Sequence, residues 1–302
     1  MNVIFMGTPD YAEKILEQLI KAKNINVVAT YTQPDKPVGR KKVMTSPPVK
    51  IMAEANAIPV YQPARLRDET VVAQLQQIEC DYIVVAAYGQ ILPKAILDHA
   101  PCINLHASIL PQYRGASPIQ QSLLNGDETT GVTAMLMDEG LDTGAILKTV
   151  TINIGEDEMV ESLFDRLTAL AADMTLDVLN EFSTLTPEVQ DEKLSSHCTK
   201  ISKADGLIAF KDAEMEYNKY RAFTPWPGIY LESGLKLKAI KREGYCKKNR
   251  PGEILEIDSD SVVVGCELGK LRIYTVQPPS KKAMSVIDYL NGKRLGLADT
   301  LA

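Results

Sequence analysis

Three side chains of this 302-residue chain, Asn104, His106 and Asp142, are of the types that carry out acyl transfer. The first two stand in the run INLHASILP (103–111), which begins as an oily strand and then breaks its own rule. Successive strand residues point to opposite faces, so Asn104 and His106 share one face and Ile103 and Leu105 the other. A polar pair on a buried sheet face is costly unless satisfied. The carboxyl ends of strands in an α/β sheet, where ligands bind, tolerate such groups. Asp142 follows in the glycine-containing run DEGLDTG (138–144), directly after the apolar strand pattern GVTAMLM. An amide and an imidazole can hold the oxyanion that develops on an attacked carbonyl. A carboxylate can orient the imidazole and help take a proton from an attacking amine. The same residues also fit a plainer role, capping a strand end against neighbouring backbone, and spacing alone does not separate the two readings.

Other chemistries fit less well. Ser108 lacks the GxSxG elbow that exposes a nucleophilic serine. The three histidines, His99, His106 and His197, are too dispersed to suggest a metal site, and no metal is expected. The first turn, MGTPDYAEK, has neither GxGxxG nor GxxxxGK[ST], which disfavours a dinucleotide or nucleoside triphosphate cradle. The five cysteines form no CxxC pair, which suits reduced thiols in a cytosolic protein.

The elements that must position these residues read as an α/β domain. Residues 3–6, 25–32, 81–87, 102–106 and 131–137 have strand character, and 12–21, 49–56, 69–77, 118–125 and 159–182 have helical spacing. Their alternation predicts a Rossmann-like, mostly parallel sheet with helices on both faces. The stretch QPDKPVGRKKVMTSPP (33–48) is long, proline-rich and basic, and reads as a functional or disordered loop. Polar, unperiodic residues 184–205 read as a linker. Beyond them LKLKA (235–239), GEILEI (252–257), SVVVGC (261–266) and KLRIYTV (270–276) predict a small OB-like β-barrel. The expected domains are 1–188, a linker 189–205, and 206–302. From Lys200 onward 18 Lys and Arg face 13 Asp and Glu, against 15 and 26 before it. A basic second part on an acidic first part localises any polyanion contact to the second. The start of the chain lacks a signal-peptide pattern and no apolar run reaches membrane-spanning length, so a cytoplasmic location is expected.

Seven motifs then carry a resemblance spread over the whole chain: FMGTPDYA (5–12), QPDKPVGR (33–40), AAYGQILP (86–93), INLHASILPQYRGASPI (103–119), MDEGLDTGAIL (137–147), KISKADG (200–206) and FTPWPG (223–228). Together they resemble the methionyl-tRNA formyltransferases, within the wider group of enzymes that use 10-formyltetrahydrofolate. SILP stands where SLLP is more usual, and GLIAF after KISKAD lacks the usual Asp-Trp ending. The resemblance implies that Asn104, His106 and Asp142 are catalytic. It implies folate contacts from Gly89, Gln90 and Leu92 and from Ser108, Ile109, Leu110 and Pro111. It implies RNA contacts from Arg40, Lys41, Lys42 and Lys203, with Lys236, Lys238, Lys241, Arg242, Lys247, Lys248 and Arg250 as the basic surface of the barrel. The implied substrates are 10-formyltetrahydrofolate and initiator methionyl-tRNA, handled by a monomer without a membrane. Trp226, between prolines, is expected to be a packing anchor rather than a base-stacking platform. The rival readings are a formyltransferase of a small amine (a sugar nucleotide or glycinamide ribonucleotide), a formyltetrahydrofolate hydrolase, and a non-catalytic RNA-binding module.

Overall fold

A computed structural model describes every residue except 40, 245–247 and 302. Arg40, assigned above to RNA contact, and Lys247, assigned to the basic surface of the barrel, lie outside the described residues. The chain forms two compact units, Met1–Pro118 with Thr129–Asn153 and Leu163–Cys198, and Ile119–Glu128 with Ile154–Ser162 and Thr199–Ala302.

In the first unit the chain runs β1 (Asn2–Gly7), α1 (Asp10–Lys21), β2 (Asn26–Tyr31), β3 (Lys36–Val38), β4 (Val43–Thr45), α2 (Pro48–Ala55), β5 (Val60–Tyr61), α3 (Glu69–Gln76) and β6 (Tyr82–Ala86). It continues through α4 (Lys94–Leu97), β7 (Cys102–His106), β8 (Arg114–Gly115), α5 (Pro118–Asn125), β9 (Thr129–Leu136), β10 (Ile146–Asn153), α6 (Val160–Glu181) and β11 (His197–Cys198), with α5 and α6 each shared with the second unit. Seven strands make one sheet in the order β10-β9-β7-β6-β1-β2-β5. The pairs from β7 through β6, β1 and β2 to β5 are parallel, while β9 and β10 run antiparallel.

Both faces are covered because β1 is apolar on both. Ile4 and Met6 join a core with Ile83, Val85, Leu75 of α3 and Ile96 of α4. Val3 and Phe5, which point the other way, are equally inaccessible. On one side of the sheet Tyr11 of α1 meets Phe164 of α6 edge-on at 6.1 Å. Its hydroxyl donates to the Leu105 carbonyl at 3.2 Å. Burial pushes that phenol well above its ordinary range, so it remains a donor. The expected mostly parallel, doubly covered sheet is what forms.

Three stretches depart from expectation. The edge strand β10 has no counterpart in the reading above. The basic loop 33–48 is not structureless: Lys36, Pro37 and Val38 pair with Thr45, Met44 and Val43 in a hairpin. Asp35 ties its two ends, accepting from Gln62 Nε2 at 2.8 Å, Lys50 Nζ at 2.9 Å and Ser46 Oγ at 3.1 Å. Residues 190–198, read as linker, lie in the first unit and end in β11, paired parallel to β8.

The second unit holds α7 (Ala213–Phe223), β12 (Ile229–Tyr230), β13 (Lys236–Arg242), β14 (Ile254–Ile257), β15 (Val262–Gly265), β16 (Lys270–Gln277), β17 (Met284–Ser285) and α8 (Val286–Lys293). Its sheet is antiparallel, in the order β12-β13-β16-β15-β14, with β17 on β16. Leu271 and Ile273 of β16 point into its core, as strand alternation requires, and Val276 is buried out of that alternation, past a register shift in the β13–β16 pairing. The Asp212 carboxylate caps α7 by accepting from the Glu214 and Met215 N–H groups. Arg242, expected on the basic surface, is engaged by the carboxylates of Glu156 and Glu214. Trp226, expected to pack, is 61% exposed.

Candidate active site

Asn104 and His106 close the carboxyl half of β7, with Asn104 beside Val85 of β6 and His106 beside Thr133 of β9. They are 8% and 6% exposed, so their polar atoms must find partners within the protein. Because β9 is antiparallel, it ends beside Ile103, at the far end of β7 from His106. The following loop therefore has to double back to bring Asp142 near them. A Cβ on Gly144 would lie 1.6 Å from the Leu136 carbonyl oxygen, so only glycine permits that return. Asp142 itself sits in the left-handed region, at φ 55°.

Asp142 is the hub. Its Oδ1 accepts from Asn104 Nδ2 at 3.3 Å, and its Oδ2 accepts from the Gly115 N–H at 2.8 Å. The same Oδ2 is 3.7 Å from His106 Nδ1. On its other side, His106 Nε2 lies 2.9 Å from the Tyr113 carbonyl. A carbonyl only accepts, so Nε2 carries a hydrogen and Nδ1 is the nitrogen turned toward the carboxylate. The Tyr113 carbonyl also accepts from the Cys198 thiol at 3.3 Å. Burial pushes that thiol's pKa up, which keeps it protonated as a donor.

The segment 113–115 that supplies these partners is fixed from far along the chain. Ser196 Oγ accepts from the Tyr113 N–H at 2.9 Å, and the Arg114 N–H donates to the Ser196 carbonyl at 2.9 Å. Gly115 has φ 121°, and a Cβ there would stand 2.2 Å from the Cys198 carbonyl oxygen. Arg114 is 1% exposed. Its guanidinium donates to Gln190 Oε1 and, in a fork, to both oxygens of Glu192. Those bonds hold the Glu192 carboxyl below its ordinary range. Nothing in the polar string 190–198 distinguishes these contacts from a solvated linker, so sequence reasoning missed them.

The residues assigned to the donor have differing partners. Ser108 Oγ donates to the Gln112 carbonyl at 2.6 Å, and Thr133 Oγ1 links the Ser108 carbonyl to the Leu110 N–H. Ile109 and Pro111 complete that turn. Gln90 spends its side chain on the backbone of Leu66 and Pro63, and Leu92 is buried in the core. The side chains of these two are thus engaged within the protein. Gly89, at φ 81°, follows Tyr88, whose carbonyl accepts from Thr8 Oγ1 and Gln33 Nε2. Lys41 and Lys42 are exposed in the turn of the β3–β4 hairpin. Lys203, in the second unit, is exposed where a Ser202–Asp205 capping box starts a short helical turn.

Residues 1–179 match the formyl transferase family, and residues 200–294 match the formyl transferase C-terminal domain. Proteins named methionyl-tRNA formyltransferase align along essentially the whole chain. The one from Sulfurimonas denitrificans is 63% identical with both chains fully covered, and that from Nitratiruptor sp. is 56% identical with 99% of each covered. One from Campylobacter curvus is 52% identical over 98% of each. Among solved structures, WlaRD, a sugar 3N-formyl transferase crystallised in the presence of dTDP and 5-N-formyl-THF, superposes with a TM-score of 0.67. It is 17% identical, covering 93% of this chain and 99% of its own. HypX from Aquifex aeolicus in complex with tetrahydrofolic acid superposes with a TM-score of 0.60 at 15% identity, covering 98% of this chain and 48% of its own. At those identities both show a shared fold.

Proposed function

This chain belongs to the formyl transferase family, among the methionyl-tRNA formyltransferases, and from that premise we propose how its site works. It moves the formyl group of 10-formyltetrahydrofolate to the amino group of methionine on initiator tRNA. The observation that carries the reading is the convergence of Asn104, His106 and Gly115 on the two oxygens of Asp142.

The neutral amine attacks the formyl carbon, forming a C–N bond as the carbonyl electron pair moves onto oxygen. Asn104 gives one amide hydrogen to Asp142 and uses the other to hold that oxyanion, and His106 becomes the second donor when the oxyanion replaces the Tyr113 carbonyl as the partner of its Nε2–H. Asp142 keeps the imidazole turned for this and assists removal of the amine proton. Collapse breaks the bond from the formyl carbon to N10, and the proton passes to that nitrogen. The turn 108–111 and the backbone at Gly89, Gln90 and Leu92 hold the donor. Arg40, together with Lys41 and Lys42 of the hairpin turn and Lys203, meets the RNA phosphates, which set affinity rather than sequence choice. The enzyme acts as a cytoplasmic monomer.

A single-turnover assay tests this reading, offering charged initiator tRNA beside a sugar-nucleotide amine, glycinamide ribonucleotide and water. Transfer to the tRNA is expected. Transfer only to a small amine, or hydrolysis alone, refutes it.

A further inference from the structure

Gln190 lies in the stretch that reads as an inter-domain linker, yet it is 6% exposed and its amide is saturated on both atoms. Its Oε1 accepts from Arg114 Nε at 3.0 Å and from a second guanidinium nitrogen at 2.9 Å. Its Nε2 donates to the Asp142 carbonyl at 2.9 Å and to the Gly144 carbonyl at 2.7 Å. No side chain other than a primary amide can accept from a guanidinium and also donate to two carbonyls in one plane. Arg114 is in turn held by Glu192 at its outer end, 2.8 Å away. The result is a rod, Glu192–Arg114–Gln190, whose tip grips the backbone on both sides of Thr143.

That grip falls where the backbone is least able to hold itself. Asp142 occupies the left-handed region at φ 55°, which costs a non-glycine residue free energy unless its surroundings impose it. Both the Asp142 and the Gly144 carbonyls, in the loop that returns from the far end of β7, take their hydrogen bond from Gln190. We propose that Gln190 is a positioning residue for Asp142, with Arg114 orienting its amide. Gln190 selects the loop conformation in which the carboxylate meets Asn104, Gly115 and His106 together. This inference rests on the proposed role of Asp142 in formyl transfer. It adds that the setting of Asp142 is imposed from a residue 48 positions further on.

The isosteric Gln190→Glu variant isolates the tip of the rod. A glutamate still accepts from Arg114 but cannot donate to the two carbonyls. Single-turnover formyl transfer to methionyl-tRNA is measured for the wild type, Gln190→Glu, Asp142→Ala and the double variant, each with its thermal midpoint. The expected result is a fall of about tenfold or more in rate for Gln190→Glu, with the KM for tRNA near that of the wild type, because about 1 Å of misplacement can cost up to about a hundredfold. In the Asp142→Ala background the same change should alter the rate by less than about twofold, since a residue acting only through Asp142 has nothing left to act on. Equal losses in both backgrounds would mean a merely structural role and overturn the inference. A wild-type rate for Gln190→Glu beside a crippled Asp142→Ala would also overturn it. A near-normal Asp142→Ala would instead overturn the proposed role of Asp142. Gln190→Met, which keeps the volume and removes both halves of the amide, runs the same cycle if Gln190→Glu does not fold.

Discussion

Replacing Gly115 by alanine should disable the site without touching any side chain in it. The new Cβ would sit 2.2 Å from the Cys198 carbonyl oxygen, and that oxygen is backbone, not a side chain that can swing away. An ordinary approach of carbon to carbonyl oxygen is about 3.3 Å, so β8 and β11 must part by about 1 Å. The residue would also hold φ 121°, outside the comfortable range of an L-amino acid, at a cost of about 1–3 kcal/mol. The N–H that donates to Asp142 Oδ2 at 2.8 Å moves with the strand, and weakening a bond to a charged group costs about 1.5–3 kcal/mol. A shift of that size at the carboxylate corresponds to about a hundredfold in turnover. The assay is single-turnover formyl transfer at saturating donor and tRNA, run well below the variant's own melting temperature so that only folded protein is counted. The thermal midpoint is expected to fall as well. A folded Gly115→Ala protein with a rate within about threefold of the wild type would refute the claim that the β8–β11 pairing sets Asp142, since the geometry demands about 1 Å of movement.

Asp142→Asn and His106→Ala are expected to lose about a hundred- to ten-thousandfold in turnover while binding tRNA nearly as the wild type does, which separate rate and binding measurements will show. Asp35→Ala unties both ends of the β3–β4 hairpin, and the KM for tRNA should rise about tenfold, or about 1.4 kcal/mol, with little change in turnover. Equal effects on KM and turnover would place the Asp35 cluster in the chemistry instead. In the second unit, burial pushes the Glu216 carboxyl above its ordinary 4.5, against the pull of the Lys211 and Ala209 N–H groups. Its neutral form is therefore favoured by folding, so the stability it contributes is complete below that ordinary value and is lost as pH rises through the raised one. Glu216→Gln, neutral throughout, should melt progressively higher relative to the wild type as pH is raised from about 4 to about 7. A difference that stays flat across that range would contradict the assignment.

The parts of this architecture legible from sequence were those in which residue type and residue spacing agree. In β7 the alternation of Ile103 and Leu105 with Asn104 and His106 marked both a strand and the face proposed for the chemistry. The neighbouring Asp142 was visible as chemistry but not as geometry, because an apolar run such as GVTAMLM does not encode direction. Only the sheet shows β9 to be antiparallel and its loop to double back. Strand β10 was missed although its residues alternate between half-buried and exposed from Lys148 on, since ILKTVTIN is half polar, as an edge strand is. The hairpin in 33–48 was hidden by Pro37, which an exposed edge tolerates. Residues 190–198 were misread for a simple reason. Hydrogen bonding to buried backbone and hydrogen bonding to water call for the same side chains.

The two-residue pairing of β8 with β11 also has a meaning for the order in which this protein comes into being. Tyr113 waits for Ser196, 83 residues later, and Arg114 waits for Gln190, 76 residues later. All three side chains proposed to act in formyl transfer and the entire parallel sheet have left the ribosome well before that tether exists. Closing a long loop is slow compared with building local structure, so the tether should be among the last contacts to form. Formyl-transfer activity should therefore appear during refolding later than the sheet's circular dichroism does. The onset of turnover would serve as a clock for long-range closure.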